Sequence, residues 1–158
     1  MWLKFLSAIL IIPFLLSCNS SSPKATTGGN DLDSCKSAVP FENARTAETM
    51  VAPGYTGVLN NYWGDDKSKL DFKHVFQNGK IIKSFFYYEN GNVQEEYEYK
   101  CGSLHGIQKK YYEDGTLAQK LPYRYGRLEG LGEEFTEKGI LKVQVLFKAD
   151  SMISKKEF

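Results

Sequence analysis

The sequence lacks an excess of either charge: 20 Lys+Arg stand against 19 Asp+Glu. A chain without a basic surplus has no electrostatic footprint for a phosphate backbone, so nucleic acid is not expected as a partner. Long apolar runs are also missing. The longest, Phe5 to Leu16, is 12 residues and includes Ser7, whereas a spanning helix needs about 20, which excludes a polytopic membrane protein. Histidine is scarce, with only His74 and His105. No HExxH pair, phosphate loop or nucleophile elbow occurs, so the inventory supplies no frame for catalysis, a metal, a cofactor or a small-molecule substrate. With 158 residues, the chain suits a single domain.

What is present begins with an address. Lys4 is the only charge in the first 17 residues, and an apolar core follows it to Leu16, which is the anatomy of a secretory signal over residues 1–17. Leu15-Leu16-Ser17-Cys18 resembles a bacterial lipobox. That resemblance implies diacylglyceryl transfer to the Cys18 thiol, cleavage, and a membrane anchor through the N-terminal lipid. Leu16 is bulkier than the pattern favours. Residues 19–30, rich in Ser, Thr and Gly, have nothing to bury and read as a flexible tether reaching roughly 20 Å. Asn19 is not the aspartate that resembles an inner-membrane retention signal, so within a bacterial envelope the outer membrane is favoured. Residues 31–53 read as irregular, broken by Pro40 and Pro53, although Glu42 to Met50 could form two helical turns.

From residue 54 the chain repeats with a period of 24. Gly91, Gly115 and Gly139 are in step, as are Tyr87, Tyr111 and Phe135, and Val93, Leu117 and Leu141; an earlier copy ends at Asn78-Gly79. Alternation such as Val93, Glu95, Tyr97, Tyr99 against Gln94, Glu96, Glu98, Lys100 marks half-buried antiparallel strands. The expected fold is therefore all-β: an antiparallel meander of about four β-hairpin repeats, about eight short strands, in a single elongated twisted sheet over residues 54–158.

Turn chemistry sets a register. A two-residue turn would put Tyr111 opposite Ala118 and send the apolar sets to opposite faces. A three-residue loop, Glu113-Asp114-Gly115, puts Tyr111 opposite Leu117 and Ile107 opposite Leu121, and is preferred because a one-residue slip flips every side chain. It predicts a ladder of Tyr87/Val93, Tyr111/Leu117 and Phe135/Leu141. Pro122 falls in mid-strand, where a bulge or gap is expected.

Tyr87-Tyr88-Glu89-Asn90-Gly91 and Tyr111-Tyr112-Glu113-Asp114-Gly115, each followed by a Gly-x-x-x-Gly segment such as Gly102-Ser103-Leu104-His105-Gly106, resemble the MORN-repeat-variant family over about residues 54–148. Bacterial members often carry the label of YwqK-family antitoxins. The resemblance implies a hairpin meander that makes protein or membrane contacts without a catalytic centre. An exported lipoprotein cannot neutralise a toxin acting in its own cytoplasm, which leaves immunity within the envelope as the form of that alternative.

Several residues are candidates for a surface. The preferred register gathers Glu95, Lys109, Gln119 and Glu133 into a polar row on the apolar face, either self-neutralising on a partly covered face or fixing a partner's register. Tyr88, Tyr112 and Trp63 form an aromatic row on the opposite face, either strand formers or binding anchors. His74, sharing a face with Leu70, Phe72 and Phe76, reads as a structural histidine, and His105 as turn chemistry. Glu95, Glu96 and Glu98 are split by alternation and read as solvated. Cys35 and Cys101 stand 66 residues apart and are either two free thiols or, in an oxidising compartment, a bridge. The functional expectation is a non-enzymatic, lipid-anchored envelope protein whose hairpins bind an envelope protein or a second copy. Immunity to a toxin and a structural or membrane-surface role are the alternatives.

Overall fold

The computed structural model describes residues 35–65 and 67–158. Residues 1–34, which hold the expected signal, Cys18 and the tether, lie outside the described residues.

Among the described residues, one helix and eleven strands follow in chain order: α1 (Glu42–Thr49), β1 (Gly57–Tyr62), β2 (Leu70–Gln77), β3 (Lys80–Tyr87), β4 (Val93–Lys100), β5 (Ser103–Leu104), β6 (Gly106–Tyr111), β7 (Leu117–Arg124), β8 (Arg127–Leu128), β9 (Gly130–Phe135), β10 (Leu141–Lys148) and β11 (Ser151–Glu157). They form one antiparallel sheet in the order β1-β2-β3-β4-β6-β7-β9-β10-β11, with β5 paired to β4 and β8 to β7. The meander of hairpins is as the sequence predicts. The strand number exceeds the expected eight by three: the Gly-x-x-x-Gly segments each contribute a two-residue strand, β5 and β8, and β11 adds one beyond the fourth hairpin.

All the longer loops lie at one end of the sheet and all the tight turns at the other. At the loop end, Tyr112 N–H donates to Thr116 O (2.8 Å) and Gly115 N–H to Tyr112 O (2.9 Å), closing the three-residue loop Glu113-Asp114-Gly115. Tyr88, Gly91 and Asn92 repeat this pattern. Gly115 sits at φ 87, a left-handed position that favours glycine. At the basal end the turns are two residues, Asn78-Gly79, Cys101-Gly102, Tyr125-Gly126 and Ala149-Asp150, and both residues of each have positive φ. That is the type I′ geometry whose twist matches a hairpin.

The predicted pairs Tyr87/Val93, Tyr111/Leu117 and Phe135/Leu141 are present. Beyond them the register slips by one. Phe86 pairs with Glu95, Lys110 with Gln119 and Glu134 with Val143, leaving Gln94, Ala118 and Lys142 unpaired at the same place in each repeat. A bulge of this kind sets two residues against one and turns the following alternation over. Ile107 therefore pairs with Pro122, not Leu121.

Pro122 is not what interrupts the ladder. The pairing of β7 with β9 is confined to Gln119/Glu134 and Lys120/Glu133, but the pairing of β4 with β6, which has no proline, is equally confined to Glu95/Lys110 and Glu96/Lys109. Glu129 N–H donates to Pro122 O (3.0 Å) just as His105 N–H donates to Glu98 O (2.9 Å). The break belongs to the repeat, and the proline occupies a position whose carbonyl alone is needed there.

The stretch expected to be irregular is, over residues 35–53, a strap across one face of β2–β4. Ala44 (0% exposed) and Ala47 (2%) let α1 lie close to the sheet, over Phe76, Ile81, Tyr97, Tyr99 and Leu104. The packed unit thus begins before residue 54. An eight-residue helix is too short to persist alone, and α1 has no side-chain N-cap. Tertiary contacts hold it instead. The Phe41 ring lies 5.9 Å from that of Tyr97 and 6.1 Å from that of Tyr99. Phe41 N–H donates to Gly102 O and Val39 N–H to Tyr125 O. Ser103 Oγ donates to Val39 O, and Glu48 receives Lys80 Nζ at 2.7 Å. Cys35 is joined to Cys101, with Cα atoms 5.6 Å apart.

Candidate interaction surface

Pairing and alternation assign each strand residue to one of two faces. The strap face carries Phe72, His74, Phe86, Tyr97, Gln108 and Leu121. The open face carries Phe85, Glu96, Ile107, Lys109, Lys120, Leu131, Glu133, Gln144 and Leu146. The expected polar row is therefore divided. Glu95 and Gln119 fall on the strap face, and Lys109 and Glu133 on the open face, because the bulges at Gln94, Ala118 and Lys142 invert the alternation.

On the strap face Glu95 accepts the Tyr97 hydroxyl and pairs with Lys110 (2.8 Å). Burial and this carboxylate hold the Tyr97 hydroxyl well above the usual phenol range. Burial takes Tyr99, hydrogen-bonded to Ser84, up to about 12. His74 is buried with Nδ1 2.8 Å from Ser84 Oγ and its ring 4.4 Å from that of Phe72. Desolvation holds its pKa below the ordinary histidine value. A histidine beside a serine has the composition of a nucleophile and its base, but Ser84 is 0% exposed and no substrate can reach it. The pair is a satisfied polar pin in the core. His105 accepts the Tyr125 N–H (3.4 Å) and meets its ring edge-on, which is turn chemistry at a basal hairpin. Among the described residues no group of His, Cys, Asp and Glu could hold a metal ion.

The expected aromatic row is not a face. Tyr88 and Tyr112 lie in the loops, and their hydroxyls donate to the carbonyls of Tyr111 (2.7 Å) and Phe135 (2.8 Å). Each hydroxyl reaches the hairpin of the next repeat, 23 residues on, and fastens one repeat to its neighbour. Asn90 and Asn92 add two bonds to Glu113 O. Trp63, in the β1–β2 loop at the same end of the sheet, is 42% exposed.

The open face is where uncovered groups collect. Its central row is a set of ion pairs whose polarity inverts between repeats. Glu96 receives Lys109 (2.9 Å), and in the next repeat Glu133 receives Lys120 (3.3 Å). Glu133 also accepts Gln144 Nε2 (3.1 Å), and Tyr111 Oη donates to Glu96 (3.1 Å). The paired carboxylate raises the Lys109 pKa. Toward the loops, Lys120 lies over the Phe135 ring. Toward the basal end come two apolar pairs, Ile107/Pro122 and Leu131/Leu146, with Ile107 40%, Leu131 48% and Leu146 40% exposed. Sequence reasoning placed Ile107 inside and passed over Leu131 and Leu146. The available signal was the 24-residue interval between Ile107 and Leu131, each directly after the last glycine of a Gly-x-x-x-Gly segment.

A polar row edged by exposed aliphatics on a rigid sheet offers contact area and register, the two requirements of a protein-recognition surface. No curated protein and no solved structure matches the chain. The family model of the MORN repeat variant matches residues 82–100 and 104–125. These are the β3–β4 hairpin and the segment from Leu104 through the β6–β7 hairpin, so the chain carries a tandem pair similar to that repeat.

Proposed function

We propose that this is a non-enzymatic interaction module, lipid-anchored through Cys18 in a bacterial envelope, whose open sheet face binds another envelope protein. The observation that carries the reading is the contrast between the faces. Over β2–β4 the strap covers one face, while farther along the sheet the other face presents Ile107, Leu131 and Leu146 uncovered beside ion pairs that fix where a partner's charges must fall. These pairs lie partly buried at the surface, and their fixed alternation of charge gives a partner a register. The similarity of residues 82–125 to MORN repeats supports a repeat that acts by contact.

The experiment is cross-linking in cells followed by purification of the lipidated protein, with Cys18→Ala as the unanchored control and Ile107→Asp/Leu131→Asp as the face control. One stoichiometric envelope partner, lost in both controls, is expected. A partner that is a toxin would make the module an immunity protein. Recovery of the same partner with the face variant, or of self-cross-links alone, would overturn the proposal.

A further inference from the structure

A cavity of about 530 Å³ lies on the strap face, where the strap, α1, β3 and the basal turn after β4 meet. Small-molecule sites commonly occupy roughly 300–1,000 Å³. Its floor is apolar, with Ile81 2% and Tyr99 7% exposed, and the Cys35–Cys101 bridge forms one wall. Ile82 extends the apolar lining. Phe76 pairs with Ile81 and Val75 with Lys83, so Ile82 drops out of the ladder and borders the cavity with 39% of its surface exposed. Nothing local in the sequence announces this site, because residues 35–48, 80–82 and 99–102 come together only in the fold.

The rim is positive. Arg45, Lys80 and Lys100 line it with one carboxylate, Glu48, which leaves an excess of two positive charges with every group ionised. Glu48 pairs with Lys80 Nζ (2.7 Å) and lies 3.4 Å from Ile81 N. Arg45 is exposed and has no carboxylate partner among the described residues, Glu42 one turn before it included. A guanidinium presents a planar fork of N–H donors that matches a carboxylate with two parallel bonds. A neutral apolar ligand would leave Arg45 unanswered, and a compact polar anion would leave the apolar floor wet.

We propose that the cavity binds a small organic carboxylate, its apolar body against Ile81, Ile82 and Tyr99 and its carboxylate on the Arg45 guanidinium. The ligand touches both strap and sheet, so it holds the strap closed by mass action and shields the bridge beside it from reductant. The site stands apart from the open face and does not depend on the protein-binding reading above.

The full chain carrying Cys18→Ser is titrated with benzoate, phenylpropanoate and octanoate, each beside its neutral amide, and followed by ligand-observed nuclear magnetic resonance. At least one carboxylate is expected to saturate a single site and to bind roughly tenfold or more tighter than its amide, the worth of a charge-assisted pair. Arg45→Gln, at an exposed position, should erase that preference, and Ile82→Ser should weaken carboxylate and amide together. Ile107→Asp/Leu131→Asp, on the open face, should bind as wild type does. Reduction of the Cys35–Cys101 bridge by dithiothreitol should slow several-fold at saturating carboxylate, and not in Arg45→Gln. No saturable binding below about 10 mM, equal affinity for acid and amide, or a preference that survives Arg45→Gln would overturn the proposal. So would loss of binding in the open-face variant, or a reduction rate that the ligand leaves unchanged.

Discussion

Breaking the Cys35–Cys101 bridge tests how the strap is held. The bridge closes a 66-residue separation, and the chain-entropy relation for that length gives about 4 kcal/mol of stabilisation. Domains of this size commonly have ~5–15 kcal/mol in total, so the bridge supplies a large share. Without it, the strap retains the packing of Phe41 on Tyr97 and Tyr99 and the burial of Ala44 and Ala47. Full burial of such a side chain is worth about 1.5–3 kcal/mol, of which the partly buried Phe41 supplies a share. The Cys35→Ser/Cys101→Ser variant is therefore expected to fold and to lose ~2–4 kcal/mol in equilibrium urea unfolding. Its midpoint should fall while its slope rises somewhat, since the unfolded chain without the cross-link is less compact and exposes more surface. Wild-type protein in reductant should match it. Adding Phe41→Ala should then detach the strap, visible as a separate early transition with hydrogen exchange opening at Phe41 and Val39. A serine variant within about 1 kcal/mol of wild type would refute the reasoning, because the strap would then be held by packing alone.

Other perturbations have distinct signatures. Gly126 lies at φ 85, and a Cβ there would collide with the Val39 carbonyl, whereas one at Gly115, at φ 87, meets only Asn92 Nδ2 at 4.0 Å. Gly115→Ala should cost about 1–2 kcal/mol for the left-handed backbone. Gly126→Ala should cost clearly more, with exchange protection lost at Val39, as thermal and exchange measurements would show. Tyr112→Phe removes one hydroxyl that joins two repeats and should cost about 1 kcal/mol, read by the urea midpoint. Two pH limbs are expected from groups that remain neutral in the fold. Because the folded His74 pKa is depressed, unfolded chains take up its proton first. Its share of stability is full above about pH 6.5 and is lost as pH falls below that, a limb missing in His74→Gln. Because the folded Tyr97 and Tyr99 pKa values are raised, their share is full below about pH 10 and is lost on further alkalinisation. Ultraviolet phenolate titration should show two tyrosines ionising late, with unfolding.

Much of the fold was legible because the period of 24 and the glycine-bearing loops are local signals. Three aromatic–aliphatic pairs beside those loops follow from them directly. The bulges were not legible. Gln94, Ala118 and Lys142 occupy ordinary strand positions, and nothing in their side chains announces that they leave the ladder. One unpaired residue per hairpin was enough to send Lys109 and Glu133 to one face and Glu95 and Gln119 to the other. The strap was faint for a different reason. The buried side of α1 is Ala44 and Ala47, which permit close approach but carry little hydrophobic signal, while its anchors Phe41 and Val51 lie just outside the helix. Tyr88 and Tyr112 read from the sequence as strand formers or binding anchors, and their bond to the next repeat was out of reach, since a hydroxyl that reaches 23 residues along the chain has meaning only once the repeats are stacked.

The most direct test of the central claim is photo-cross-linking in cells from a reactive amino acid at Leu131 on the open face, compared with one at Thr46 on the exposed side of α1. The account expects Leu131 to capture one discrete envelope protein, with capture abolished by Ile107→Asp and absent from Thr46. Equal capture from both positions, or only self-cross-links at Leu131, would contradict it.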